Sequence, residues 1–324
     1  MPQPTIFDVR PVNPVLTNMS IAGRNKNFLA EKIAPFAVQP QKSGTYFIYT
    51  PSYWMRVPTG SYRASDGPYT QLGYGVTSST YTTSEHGYEK LLPDPIRNAS
   101  QTPEDLQMKD VQFLTNALQM DLESAVAAKL FTFGVWGAGD ITLNGTAGTT
   151  SVPLYQWDDY ANSDPIANAK AARLAVHRLV GQYPTTMFIG VSSWQKLIEH
   201  PLLLEKYKYT QKGILTEELI AAVFMVDEVV VGDTSYNSAA EGQTAVGADI
   251  WGTNALFLCR NSPTLGVANG AYTFIWDEIG NNPWAIQDYR DEKLRGTMTR
   301  IMTHWDINTV SNSFGYMVNA CTSS

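Results

Sequence analysis

Four histidines, two cysteines and a few neighbouring carboxylates are the side chains here whose types could do chemistry. Catalysis at neutral pH generally needs a nucleophile with a base, paired carboxylates or a metal cluster. His86, His177, His200 and His304 are scattered, and none lies in an HxxxH or HExxH pattern that would put a metal-binding pair on one helix face. His177 falls on an apolar helix face and reads as a satisfied core group. Glu85-His86 and Glu199-His200 are adjacent, and adjacent side chains point apart on strand or helix, so neither makes a dyad. Asp227-Glu228 and Asp277-Glu278 could build a carboxylate site, although solvated acid is the simpler reading. Gly137-Ala138-Gly139-Asp140-Ile141 holds a fragment of a dinucleotide loop, without the strand before it or the capped helix after it. Gly-x-Ser-x-Gly and Walker-type loops are missing from the sequence. Cys259 and Cys321 are too few for a disulfide framework or a zinc site, and read as free thiols buried like small apolar side chains. The sequence thus nominates no catalytic, cofactor-binding or metal-ligating residue, and no cofactor.

The elements that would carry such residues are more informative. A long amphipathic helix opens at Thr102-Pro103-Glu104-Asp105, with Thr102 as N-cap, Pro103 at the first helical position and Asp105 completing a near capping box. Val111, Leu114, Leu118, Leu122 and Ala125 recur at three- and four-residue steps up to about Phe131, so they share one face. About thirty residues at about 1.5 Å each make a rod of roughly 45 Å. The hundred residues before it hold eleven of the eighteen prolines and look unable to close a core of their own. Within them a short helix is expected around Asn27 to Ile33, and strands over Gly44–Thr50 and Thr77–Thr83 should pair as a long exposed hairpin, marginal on its own in water.

Beyond the helix, Gly134 to Gly148 is a polar connection with a tight turn at Asn144-Gly145. Helices and strands then alternate. Asp164-Pro165 opens a helix whose Ile166, Ala169, Leu174, His177, Leu179 and Val180 form a broad face, and Gly181 and Pro184 end it. Thr186 to Val191 is a strand, Ser192 or Ser193 caps a helix running to about His200 and stopping at Pro201, and Thr216 starts another. Glu228–Gly232 and a central strand within Asp249–Arg260 follow. The tail returns to strands at Tyr272–Trp276, Thr297–Asn308 and Ser313–Val318. No repeat of 20 to 50 residues is visible.

Composition bounds the partners. The 324 residues carry a net charge of -7, which argues against gripping nucleic acid by neutralising phosphates. No run of eighteen apolar residues predicts a membrane span, and the N-terminus lacks the features of a secretory signal. Residues 1 to 44 carry Arg10, Arg24, Lys26, Lys32 and Lys42 against Asp8 and Glu31, a net +3, whereas no basic residue lies between Lys212 and Arg260. Glu217, Glu218, Asp227, Glu228, Asp233, Glu241 and Asp249 fall in that second stretch. Complementary fields of this kind favour head-to-tail contact between copies; a solvated acidic face is the competing reading.

This order of elements resembles the major capsid proteins of tailed bacteriophages with the Hong Kong 97-type fold, and at residue level the phage capsid protein E family. The stretches that carry the resemblance are Lys42–Tyr49 with Trp54-Met55-Arg56, Ile96-Arg97-Asn98-Ala99, Trp194, Leu197, His200-Pro201, Tyr207, Gly213–Leu219, Glu228–Tyr236, Ile250-Trp251-Gly252 and Gly270–Phe274. The resemblance implies an α+β fold with five parts. These are an N-terminal arm (1–44), an E-loop hairpin (45–92), a peripheral domain with the spine helix (93–160), an axial domain (161–268), and C-terminal strands returning to the peripheral domain (269–324). It implies a virion shell protein, assembled in the host cytoplasm as pentamers and hexamers of itself, with no enzymatic activity and no membrane contact. Portal and scaffolding proteins would be further partners, decoration proteins are left open, and packaged DNA would be held loosely. Ring contacts would fall in loops such as Thr234 to Gly247. Some members of the fold weld subunits through a hairpin-loop lysine. Here no lysine occurs between Lys42 and Lys90, so non-covalent contacts are expected. The competing reading is another virion or carbohydrate-binding adhesion protein, in which Trp54, Trp136, Trp157, Trp251, Trp276, Trp284 and Trp305 would stack on sugars.

Overall fold

The computed structural model of the chain describes residues 28–49, 55–63, 66–99, 103–149, 152–207, 216–240, 242–260, 269–277 and 284–323. The expectations for Arg10, Arg24, Lys26, Asn27, Trp54, the Thr102 cap, Glu241 and Glu278 lie outside these residues. The described chain forms two compact bodies.

The first body draws on the described parts of Met1–Gly44, Thr80–Val126 and Tyr272–Asn308. Its elements are α1 (Ala30–Ile33), β1 (Phe36–Gln39), β4 (Ser84–Pro93), α2 (Asp94–Ala99), most of α3 (Pro103–Leu130), β13 (Ala271–Trp276), β14 (Ala285–Asp291) and β15 (Gly296–Thr309). The sheet runs β1-β13-β15-β14, and β4 adds to β15 in a ten-pair antiparallel ladder from Gly296↔Pro93 to Trp305↔Ser84. Along α3, Val111, Leu114, Leu118 and Leu122 are buried, as the periodicity predicts, whereas Ala125 is only half-buried and its neighbour Val126 takes the buried place. A second buried stripe on that helix is polar: Thr115, Gln119 and Glu123, at four-residue spacing. Side chains tie the helix to β4, with Lys90 Nζ 2.5 Å from Asp110 Oδ1 and His86 Nδ1 3.8 Å from Asp121 Oδ2.

The idea that the front hundred residues lack a core needs correction. Leu29, Ala30, Ile33, Ala34 and Leu92 are buried, and β1 pairs in parallel with β13, Phe36 opposite Thr273. The packing partners come from more than two hundred residues downstream, where no local pattern could reveal them. Among the described residues, the stretch around β2 (Ser43–Tyr49) and β3 (Val76–Thr82) fits the expectation, since there these strands pair only with each other.

The second body is the α/β unit, from Thr45–Ser79, Ala127–Ala271 and the described residues after Thr309. After β5 (Ile141–Thr142), β6 (Thr146–Thr149) and β7 (Val152–Leu154) come α4 (Pro165–Val180), β8 (Thr186–Gly190), α5 (Val191–Ile198) and α6 (Pro201–Tyr207). Then follow α7 (Glu217–Phe224), β9 (Glu228–Gly232), β10 (Ser235–Asn237), β11 (Gly247–Asp249), β12 (Ala255–Leu258) and, at the end, β16 (Gly315–Asn319). The main sheet is ordered β5-β16-β12-β8-β9, with β8 and β9 parallel and fully apolar faces on β8 and β12. The expected central strand is therefore β12, and β16 joins this sheet rather than the β13–β15 sheet. Trp136 is wedged where Cβ atoms on Gly270 and Gly315 would lie 2.7 and 2.2 Å from its ring, so neither position has room for a side chain.

Local signals around α4 read correctly at the ends and less well between. Asp164 Oδ1 accepts from the amides of Ile166 and Ala167, both at 3.0 Å, and Gly181 takes φ 77° as the left-handed C-cap. The buried stripe, however, is Ile166, Ala169, Ala172 and Val176; Leu174 and Leu179 are exposed. Small alanines let the helix approach the sheet, and the bulkier leucines are turned outward. One further expectation fails nearby. The N-cap of α5 is Gly190, not a serine, because Ser193 Oγ donates to Thr253 O at 2.8 Å and Ser192 Oγ to Asp249 Oδ2 at 2.8 Å. The helix does stop before Pro201, as expected, and Pro201 then opens α6, since proline suits a first helical position.

Candidate assembly surfaces

The nominated chemical groups are used internally. Asp140 Oδ2 accepts from the amides of Gly134 and Trp136, at 3.0 and 3.3 Å, and Oδ1 from that of Met317 at 2.9 Å. The carboxylate is thus held by three backbone amides, and burial raises its pKa against the pull of those donors. Asp227 and Glu228 do not converge: Glu228 lies 3.5 Å from Arg260 Nη1, and Asp227 is exposed.

The histidines are equally committed. His86 stacks on Trp305 at 4.1 Å, His304 meets Trp276 edge-on at 4.9 Å, and His177, half-buried rather than in the core, stacks on Tyr183 at 4.4 Å. Burial lowers the His86 pKa, Asp121 opposes that shift, and His304 adds to it.

One contact was invisible in the sequence: Ser163 Oγ lies 3.0 Å from His200 Nε2 in a buried setting. It has the composition of a nucleophile and a base but not the proton arrangement. His200 Nδ1 accepts from the Leu202 amide, so Nε2 carries the proton, and Ser163 donates its own to Asp159 O at 2.6 Å. His200 is therefore the donor to the serine, and cannot act as its base in this state. Among the described residues no group of three His, Cys, Asp or Glu side chains could hold a metal ion. Cys259 and Cys321 are both free and buried, and burial pushes the Cys259 thiol up to about 12.

What the molecule does present is exposed apolar surface. Between and beside β2 and β3, Phe47, Val57, Tyr62, Tyr69, Leu72 and Tyr74 are exposed, Tyr62 to 93% and Val57 to 83%. Arg63 lies 4.4 Å over the Tyr69 ring and Thr70 Oγ1 donates to Gly60 O at 2.8 Å, so this tip is organised by its own contacts. A concentration of exposed aromatic side chains on one ribbon marks a surface meant to be covered. Most of the described tryptophans, by contrast, are not displayed. Trp136, Trp157, Trp251, Trp284 and Trp305 are buried in their own body, which leaves few to stack on sugars. No helix among the described residues is long and apolar enough to cross a membrane.

No protein-family model matches the chain. Curated proteins do. The major capsid protein of Burkholderia phage BcepMu is 29% identical over 256 residues, 76% of this chain and 75% of that protein. That of Pseudomonas phage JBD67 is 25% identical over 255 residues, 78% of each. Among solved structures, a phage-related protein from Bordetella bronchiseptica superposes with a TM-score of 0.75 at 19% identity, covering 97% of this chain and 99% of that one. The capsid structure of cyanophage P-SCSP1u gives a TM-score of 0.55 at 12% identity, over 91% and 89%. With this fold and these sequence relatives, the chain is similar to phage major capsid proteins and shares the fold of phage capsid structures.

Proposed function

We propose that this chain builds the icosahedral virion shell through pentamers and hexamers of itself, and that its work is geometric rather than catalytic. The observation that carries the proposal is the described part of the ribbon around β2 and β3, which leaves six large apolar side chains in water on a chain with a capsid fold. In a shell that ribbon would lie across a neighbouring subunit as the E-loop. The sheet with β13–β15 and the long helix α3 would be the peripheral domain, and the α/β body the axial domain. Two features of the sequence support non-covalent cohesion and loose genome contact: the ribbon has no lysine, and the net charge is -7. Portal and scaffolding proteins belong to the same proposal as assembly partners.

The test is electron microscopy and mass photometry of the overexpressed chain, alone and with its phage's scaffolding protein. Hollow shells or capsomer rings are expected. Replacing Val57, Tyr62 and Leu72 together by serine should leave the circular dichroism spectrum unchanged and reduce particles by about tenfold or more, as expected for losing several interface anchors. A small, monodisperse oligomer under every condition would refute the proposal.

A further inference from the structure

The α/β body carries opposite chemistry on two of its surfaces. One is a groove along α4 of about 740 Å³, whose lining includes Ile141, Val152, Ala171 and the exposed Leu174 with Lys170 and Arg178. Residues 165–198 contain Lys170, Arg173, Arg178 and Lys196 and no aspartate or glutamate. The groove is thus apolar at its base and basic at its rim, apart from Asp164 at the start of the helix.

The other surface is the antiparallel ribbon β10–β11, with Ser235 opposite Asp249 and Asn237 opposite Gly247. It follows β9, which is an edge of the main sheet, while α4 packs over β16 at the other side. The ribbon exposes Tyr236 and Val246, is flanked by Asp233 and Asp249, and lies within the stretch from 213 to 259 that has no basic residue. It is also preorganised: Asn237 Oδ1 accepts from the amides of Ala239 and Val246, at 3.1 and 2.9 Å. Little ordering entropy would then be lost on docking.

We infer that the β10–β11 ribbon of one copy seats in the α4 groove of the next copy, Tyr236 and Val246 against Leu174 and the alanines, with the acidic flank toward Lys170 and Arg178. The two surfaces are different patches, so the contact is head-to-tail, and repeating it closes a ring when the rotation permits. Complementary charge would set orientation and speed the encounter. This inference rests on the shell-building proposal and specifies which surfaces of the axial body meet.

The test uses the full chain with Leu174→Cys and Val246→Cys together, since both native cysteines are buried. In assembled particles under mild oxidation, the double variant should give a ladder of disulfide-linked multimers, and neither single variant should extend beyond a dimer. Independently, Lys170→Glu with Arg178→Glu should slow assembly by about tenfold or more at low salt, and adding Asp233→Lys should recover part of that rate. Shells that form normally, yield no ladder and ignore the charge reversals would overturn the inference while leaving the shell proposal standing. Failure of the unmodified chain to form any shell or ring would overturn both.

Discussion

Glu123 is fully buried on α3, and its two carboxylate oxygens accept from the amides of Leu29 at 2.7 Å and Ala30 at 2.8 Å. It caps α1 from 93 residues away in sequence. Those amides open a four-residue helix too short to persist by itself. Hydrogen bonds to a charged acceptor contribute about 1.5–3 kcal/mol each, and a buried amide left unpaired costs about 1–3 kcal/mol. Glu123→Ala removes both bonds and opens a void, so local opening of residues 28–39 should become easier by about 3–5 kcal/mol. Glu123→Gln keeps one acceptor of similar shape and turns a donor toward the other amide, for which about 2 kcal/mol is expected. Hydrogen exchange followed by mass spectrometry suits the question, because it reads local opening in a two-body chain where a single unfolding free energy is ill defined. Exchange over 28–39 should speed up about 30-fold for Gln and beyond 100-fold for Ala, with β8 and β12 unaffected. If Glu123→Ala leaves that segment as protected as before, the carboxylate is not what holds α1, and the argument fails.

Three further outcomes follow from the geometry. Burial lowers the pKa of both His86 and His200 from the ordinary 6.5, so the folded chain resists protons that the unfolded chain accepts. Stability should therefore fall as pH drops through 6.5 toward the lowered values, and His200→Asn should flatten that slope in thermal melts between about pH 7 and 5. A slope unchanged by His200→Asn would show that His200 does not contribute to it. Gly315→Ala, whose Cβ would sit 2.2 Å from the Trp136 ring, should destabilise the α/β body by about 1–3 kcal/mol or more, while Gly73→Ala, with nothing within 4 Å, should be close to neutral; equal urea midpoints for the two variants would refute that packing. Boiled particles should run as one monomer band on a denaturing gel, because the ribbon offers no lysine; a ladder without added cysteines would overturn this.

How much of this was legible in the sequence depended on where the partner lay. The long helix, β2, β3, β8, β9, β13 and β15 announced themselves through apolar periodicity or β-branched runs, and Asp164 and Gly181 marked their helix correctly. β4 did not, since Ser84-Glu85-His86-Gly87-Tyr88-Glu89-Lys90 is polar and mostly exposed; it is a strand because β15 supplies the ladder. β14 was missed for the same reason, its far half being partly exposed. The polar stripe of Thr115, Gln119 and Glu123 escaped a search for apolar spacing, although four-residue steps carry the same geometric information. The Ser163–His200 contact joins residues 37 apart and had no local signature. The absence of a catalytic constellation was a statement about spacing. The hydrogen bonds at His200 and the amides held by Asp140 had no signature in that spacing.

The position of β16 bears on when a new subunit becomes competent. Residues 315–319 sit between β5 and β12, so the α/β sheet stays split until they have left the ribosome, well after β5 and β12 have been made. Nascent chains, still tethered and lacking that strand, cannot present a finished surface to one another. Translation itself would then act as a timer that keeps half-made subunits out of a growing lattice.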